Sequence, residues 1–391
     1  MRAKHLFLTA CALALAFLAS FAPADDAGNL DALAAKLVNR CAGVREGELV
    51  GITGDPKDAE ILEELAVQVR KQGAHPLIML TSDRLSRRLY DDVPAQFDLQ
   101  APAWDMKLAG LLDAQFILES GDEAALAGVA AERIAAREKT FQPVFKRMRE
   151  RNVRIIFLGN GLYPTPSRAK QFGLPEAELA KLYWEGVNAD YVQLQATGAK
   201  LKKVLSEGKQ IHLTHPNGTD LKASVEKRPV MVSDGVIDEA KRKQGGAACW
   251  AYLPAGEVYV SPRTAEGRVV VDRVFFEGKE INDLVMEVKG GKVISLTAKT
   301  NGDRLQAAFK AAAAGKDRFG VIDVGINPTI HPPANSKVLA ATPAGMVSVY
   351  IGNDTWAGGD NNTPFSLAGY LPGATLTVDG KVIVEKGELK P

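Results

Sequence analysis

The chain has 391 residues, 46% hydrophobic and 24% charged, a composition that excludes a disordered, collagenous or coiled-coil protein. Its 48 Lys and Arg balance 47 Asp and Glu to a formal charge of +1. That leaves no basic field to grip nucleic acid, and charge alone names no partner.

At the start of the chain, Arg2 and Lys4 precede an uncharged apolar run over residues 6–21, and Ala22-Pro23-Ala24 supplies a small-x-small cleavage site. The pattern is that of a secretory signal peptide over residues 1–24. The run is shorter than the roughly 20 apolar residues a spanning helix needs. The expectation is an exported protein, periplasmic or secreted, with no stable membrane anchor after cleavage. Only Cys41 and Cys249 lie beyond that segment, enough for one disulfide and too few for a Cys-rich zinc site.

Strands then alternate with amphipathic helices. Residues 48–52 have strand character, and Asp55-Pro56 reads as an N-cap followed by proline at the first helical position, with Asp58 near the positive end. Ile61, Leu62, Leu65, Ala66 and Val69 recur at helical spacing, Gly73 stops the helix, and residues 76–80 form the next strand. Residues 115–118 and 153–158 are further strands with a helical stretch between them. Strand-helix-strand units predict a parallel sheet with helices on its faces. Residues 175–203 read as helical, ending near Gly208.

After Lys209 the rhythm changes to short β-branched runs between turns, as at residues 257–260, 268–276, 284–288 and 292–298. Asp379-Gly380 between residues 375–378 and 381–384 is a hairpin signal. One helix, near residues 303–314, interrupts the strands. The expected architecture is an α/β domain with a parallel sheet over 25–208 and a mostly β domain over 209–391.

Local motifs for chemistry are sparse. Gly159-Asn160-Gly161 follows a strand but lacks the third glycine of a dinucleotide loop, and neither a Walker loop nor a nucleophile elbow is present. His75 lies between a helix and a strand and reads as structural. His212 and His215 sit in a strand-like stretch, where residues three apart point to opposite faces and share no ion. His331, in a loop before Pro332-Pro333, is either a solvated loop histidine or a ligand. Asp220 reads as a turn aspartate bonding its own backbone or as a cleft residue. Glu257 follows the Pro254-Ala255-Gly256 turn at the mouth of a strand, where a carboxylate projects into a cleft or lies on the surface.

Pro254-Ala255-Gly256-Glu257-Val258-Tyr259, Asn217-Gly218-Thr219-Asp220-Leu221 and Gly325-Ile326-Asn327-Pro328 occur in the order found in the thermophilic leucyl-aminopeptidase family, also called aminopeptidase T or aminopeptidase S. Tyr163-Pro164-Thr165-Pro166, Gly352-Asn353 and Gly358-Gly359-Asp360-Asn361 add to the resemblance, which runs from about residue 35 to the C-terminus. It implies an aminopeptidase T-like fold, a homodimer, and a two-metal aminopeptidase centre in which Glu257 matches the first metal-binding glutamate. The other positions depart from that pattern. The second glutamate falls on Val321 and the third on Ala341; the two late histidines fall on Ser348 and Ser366, the tyrosine on Thr355 and the last aspartate on Ala368. No histidine follows His331 in any register.

One carboxylate cannot hold two divalent cations. Asp323, on the same face as Val321 if that segment is a strand, is either a replacement carboxylate, with Glu257, Asp323 and His331 together as candidates for a single ion, or a drifted residue paired to a backbone amide. The leading expectation is therefore an exported aminopeptidase-like protein without two-metal catalysis, binding a peptide or small ligand in the inherited cleft. Asp220, His331, Ser348 and Ser366 are cleft candidates. The alternative is a metallo-aminopeptidase with a rearranged site around Glu257 and Asp323, using zinc, cobalt or manganese. A third is different chemistry on an aromatic or amino-acid ligand.

Overall fold

The computed structural model describes residues 30–276 and 278–390. The signal segment expected over 1–24 lies outside the described residues. Helix α1 (Leu30–Lys36) leads to strand β1 (Leu49–Gly54), and α2 (Ala59–Lys71) leads on to β2 (His75–Leu80). Asp55 is the expected cap: its Oδ1 accepts the Lys57 N–H at 3.0 Å. It caps a single 3-10 turn over Pro56–Asp58, and α2 itself begins one residue later. A helical excursion follows, comprising α3 (Asp83–Asp91), a 3-10 turn over Ala95–Leu99, and α4 (Ala103–Leu108). Strand β3 (Ala114–Leu118), helix α5 (Ala131–Glu150) and strand β4 (Arg154–Leu158) come next.

These strands pair parallel in the order β2-β1-β3-β4. Strand β4 is buried along its whole length, as strands covered on both faces are. Arg154 is tolerated there because its charge is answered. Its Nη1 donates to the carbonyls of Ala42 and Gly43, and its Nη2 pairs with Glu48 at 2.5 Å.

The helical pattern after residue 175 divides into α7 (Glu176–Val187) and α8 (Tyr191–Glu207), preceded by the short α6 (Pro166–Phe172). The break comes at Asn188-Ala189-Asp190. Asp190 caps α8 by accepting the N–H groups of Val192 and Gln193 at 2.8 and 3.2 Å.

Beyond Gly208 the chain is mostly β. Strands β5 (Gln210–His215), β6 (Thr219–Ser224) and β7 (Val230–Ser233) precede the short α9 (Glu239–Gln244). Next come β8 (Trp250–Leu253), β9 (Glu257–Val260), β10 (Thr264–Phe276), β11 (Lys279–Lys289) and β12 (Lys292–Thr300). Helix α10 (Asp303–Ala311) leads to β13 (Phe319–Gly325), β14 (Val347–Gly352) and β15 (Ser366–Leu371). The chain ends with β16 (Thr375–Val378), β17 (Lys381–Glu385) and β18 (Glu388–Leu389). Strand β8 returns to the first sheet and pairs parallel with β4, so a strand beyond residue 208 completes that sheet.

An eight-stranded sheet runs β12-β11-β10-β6-β5-β16-β17-β18, and a five-stranded one runs β15-β14-β13-β9-β7. The expected hairpin forms: Asp379 and Gly380 take φ of 48° and 84° between β16 and β17, the left-handed pair a two-residue turn of this kind requires. Among the described residues, no helix is long and apolar enough to cross a membrane. Cys41 and Cys249 are both buried free thiols. Burial pushes the Cys41 thiol up to about 12.

Candidate functional site

Side chains alternate along a strand, and residues directly opposite in register share a face. On the third sheet, one face carries Val258, Val260, Ile322, Val324, Val347 and Val349, all buried in the core. The other face carries the chemistry. Asp323 of β13 stands opposite Tyr259 of β9 on one side and Ser348 of β14 on the other, and Ser348 in turn faces Tyr370 of β15. Glu257 faces Gly325 across the β9–β13 pair, which makes it the diagonal neighbour of Asp323 at a spacing of roughly 7 Å. Gly325 offers no side chain there, so nothing from β13 crowds Glu257 from directly opposite.

The approach to Glu257 is shaped by Gly256, whose φ is 124°. A Cβ there would stand 2.8 Å from the Asn327 backbone nitrogen, so only glycine fits this turn. From the first sheet, the connection after β4 brings in Asn160, whose Nδ2 donates to the Pro254 carbonyl at 2.9 Å and whose side chain favours the charged form of Glu257 against its burial. The site thus lies where the carboxyl ends of β4 and β8 meet the polar face of the third sheet, the end of a parallel sheet at which ligands commonly bind.

Asp323 is 1% exposed. Its Oδ2 accepts a long hydrogen bond from Ser348 at 3.4 Å, and its Oδ1 has no hydrogen-bond partner among the described residues. Tyr350 and Tyr370 stand on the same face as Ser348, which extends the polar face across β14 and β15. Trp356 closes one side, 4.9 Å from the Tyr259 ring and 5.1 Å from that of Tyr350. Burial raises both carboxyls above the ordinary carboxylate range, and for Asp323 the nearby Glu257 adds to the effect. No basic side chain of the described residues offsets the pair.

Of the positions at which the resemblance implies metal ligands, Val321, Ser348, Ser366 and Ala368 lie on this face by register, whereas Ala341 and Thr355 lie in a loop and a 3-10 turn. Val321 pairs with Tyr350, and Tyr350 with Ala368, while Ser366 begins β15 opposite Gly352. The Ala341 carbonyl packs directly against Gly325, beside Glu257. Thr355 has its hydroxyl tied to Asn353 at 2.9 Å.

Of the remaining sequence candidates, Asp220 does not join them. It is the second residue of β6 in the eight-stranded sheet rather than a turn residue, exposed, and bonded to His212 Nε2 at 2.8 Å. Its backbone pairs in the ladder between Thr214 and Arg268, which leaves the side chain to reach across to β5 instead of folding back on a turn. His215 bonds the Pro372 carbonyl, so the two histidines of β5 have separate partners, and His331 is an exposed loop residue.

Asn160, Tyr259, Tyr350, Tyr370 and Trp356 belong to the site and are missing from the sequence candidates. For the tyrosines a signal exists: Glu257-x-Tyr259 and Ser348-x-Tyr350 repeat at the two-residue period of a strand face.

The residues present do not fit a two-metal centre. The face offers two carboxyls and hydroxyl groups but no imidazole. Among the described residues, no group of three or more His, Cys, Asp or Glu is placed to hold an ion. Two divalent cations need several anionic or imidazole donors to replace their water.

The fold is a parallel α/β sheet whose strand ends meet the polar face of an antiparallel sheet. The chain belongs to the thermophilic metalloprotease (M29) family, whose model matches residues 26–322. The match stops inside β13, one residue before Asp323. Among solved structures, the chain is similar to wild-type AmpT from Thermus thermophilus, with a TM-score of 0.73 and 17% identity over 94% of this chain and 100% of that one. It is also similar to the 2,5-dihydroxypyridine dioxygenase from Pseudomonas putida KT2440, with a TM-score of 0.60 and 13% identity over 93% and 97% of the two chains. No curated protein sequence matches the chain.

Proposed function

We propose that this chain is an exported aminopeptidase-like protein that has given up two-metal hydrolysis and binds a peptide or small ligand on the inherited face. The observation that carries the reading is the substitution pattern of that face. Val321, Ser348, Ser366 and Ala368 stand in register where the family resemblance places a glutamate, two histidines and an aspartate. Glu257 remains, and Asp323 joins it.

The chemistry that is left suits recognition. Two carboxyls without a basic partner, one of them with an unpaired oxygen, accept hydrogen bonds from an amino group or another cationic donor. The rings of Tyr259, Tyr350 and Trp356 supply an aromatic wall beside them. A solved structure of similar fold that is named as a dioxygenase is consistent with a scaffold that carries differing sites.

Calorimetric titration with a tripeptide bearing a free amino terminus, and with its N-acetyl form, tests the proposal. The free peptide binds, the acetylated one binds about tenfold more weakly or worse, Glu257→Gln weakens the free peptide by a similar factor, and neither is hydrolysed with added zinc, cobalt or manganese. Hydrolysis that is lost in Glu257→Ala would replace this reading with that of a rearranged metallo-aminopeptidase.

A further inference from the structure

The helical excursion beside the first sheet holds a cavity of about 680 Å³ that shares no residue with the carboxylate face. That volume lies within the range of pockets for small molecules. Its apolar wall is built by Leu89 of α3, Phe97 of the 3-10 turn, and Ile134, Phe141 and Phe145 of α5. Phe97 and Phe141 remain substantially exposed beside the opening.

One charged cluster stands in this wall, and its charges do not balance. Buried Asp98 accepts from Arg133 at both oxygens, Nε to Oδ2 at 2.5 Å and Nη2 to Oδ1 at 3.1 Å. Arg133 also donates to the carbonyls of Tyr90 and Val93, so all three of its guanidinium nitrogens are engaged. Arg137 comes nearest to the same carboxylate through Nε, at 3.3 Å. Its guanidinium lies 4.7 Å over the Tyr90 ring, and its side chain is only 24% exposed. No acceptor for its two Nη groups is found among the described residues. Glu138, next in sequence, also borders the cavity, but it is exposed. Two guanidinium groups therefore share one buried carboxylate, and the fork of the second is unpaired at the cavity wall.

A planar, half-buried guanidinium with free donors is matched by a carboxylate, which it binds through two parallel hydrogen bonds. The apolar wall then selects what the carboxylate is attached to. We propose that this cavity binds an apolar monocarboxylic acid, with the acid group on Arg137 and the hydrocarbon body against Phe97, Ile134 and Phe141. Ligands here need neither metal nor the carboxylate face.

Titration of the protein with decanoate below its micelle concentration, and with decanol as the uncharged control, separates the acid contact from simple greasiness. One decanoate binds per chain, and decanol binds about tenfold more weakly or worse. Arg137→Met, which keeps the stem and removes the charge, brings decanoate down to the level of decanol without changing decanol itself. Ile134→Trp, which fills the cavity, abolishes binding of both. Each variant is compared with the parent by thermal melting, and the acid-to-alcohol ratio of the unmodified protein needs no variant at all. Equal affinity for decanoate and decanol, saturable decanoate binding that survives Ile134→Trp, or no saturable binding of decanoate would each overturn the proposal.

Discussion

Three asparagines in this protein repeat one device. Asn217, Asn327 and Asn353 each accept, at Oδ1, both the N–H and the hydroxyl of a threonine two residues on, with distances from 2.7 to 3.1 Å. Each then donates from Nδ2 to a distant strand or loop: Asn217 to Val270, Asn327 to Gly186 and Ala255, Asn353 to Thr363. The side chain closes a local turn and ties it to another element. All three lie in the segments that carry the family resemblance, so much of what is legible in those motifs is scaffold rather than catalysis. Asn327 is fully buried, and its loss strands the Gly186 and Ala255 carbonyls and the Thr329 N–H. Asn327→Ala is therefore expected to cost about 2–4 kcal/mol in urea unfolding, with Thr329→Val costing less. A loss within about 0.5 kcal/mol would show that the clamp holds nothing.

At the scale of elements, Asp98 pins the 3-10 turn Ala95–Leu99 onto α5 through Arg133 and Arg137. The Arg133 hydrogen bond holds the Asp98 carboxyl below its ordinary range. A carboxyl depressed in the folded state stabilises fully above its unfolded value of about 3.9, and the contribution disappears as pH falls through the lower native value. Asp98→Asn is expected to melt below the parent protein at pH 7, with the gap narrowing on acidification below about pH 4. A gap that stays constant down to about pH 2 would show that the pair does not contribute by ionisation.

This pairing is not legible in the sequence. Asp98 and Arg133 sit on separate elements, and nothing in the local pattern of either points to the other. Elements set by their own residues were readable: β9 and the Asp379-Gly380 hairpin lie where periodicity and turn chemistry put them. Strand β8 shows the converse, since a short apolar run reveals neither its sheet nor its parallel partner β4.

For the whole molecule, the proposal separates an inherited scaffold from a changed site. The parallel sheet, the α7–α8 pair and the asparagine clamps place Glu257, Asp323 and Ser348 together on one face of the third sheet. That convergence needs the register of β9, β13 and β14, which no local pattern specifies, although the Glu257-x-Tyr259 alternation marks one strand of it. Asn160 was harder still, because it reaches Glu257 from the first sheet across almost a hundred residues. The departures at Val321, Ala341, Ser348, Ser366 and Ala368 are read from the sequence through the family resemblance, and none of these side chains carries the carboxylate or imidazole that the resemblance implies there.

Elemental analysis tests that central claim most directly. The protein is purified without chelator, incubated with zinc, cobalt or manganese, and freed of unbound ion. The account predicts well under one bound ion per chain for each metal; about two tightly bound ions per chain would contradict it and restore two-metal hydrolysis to this face.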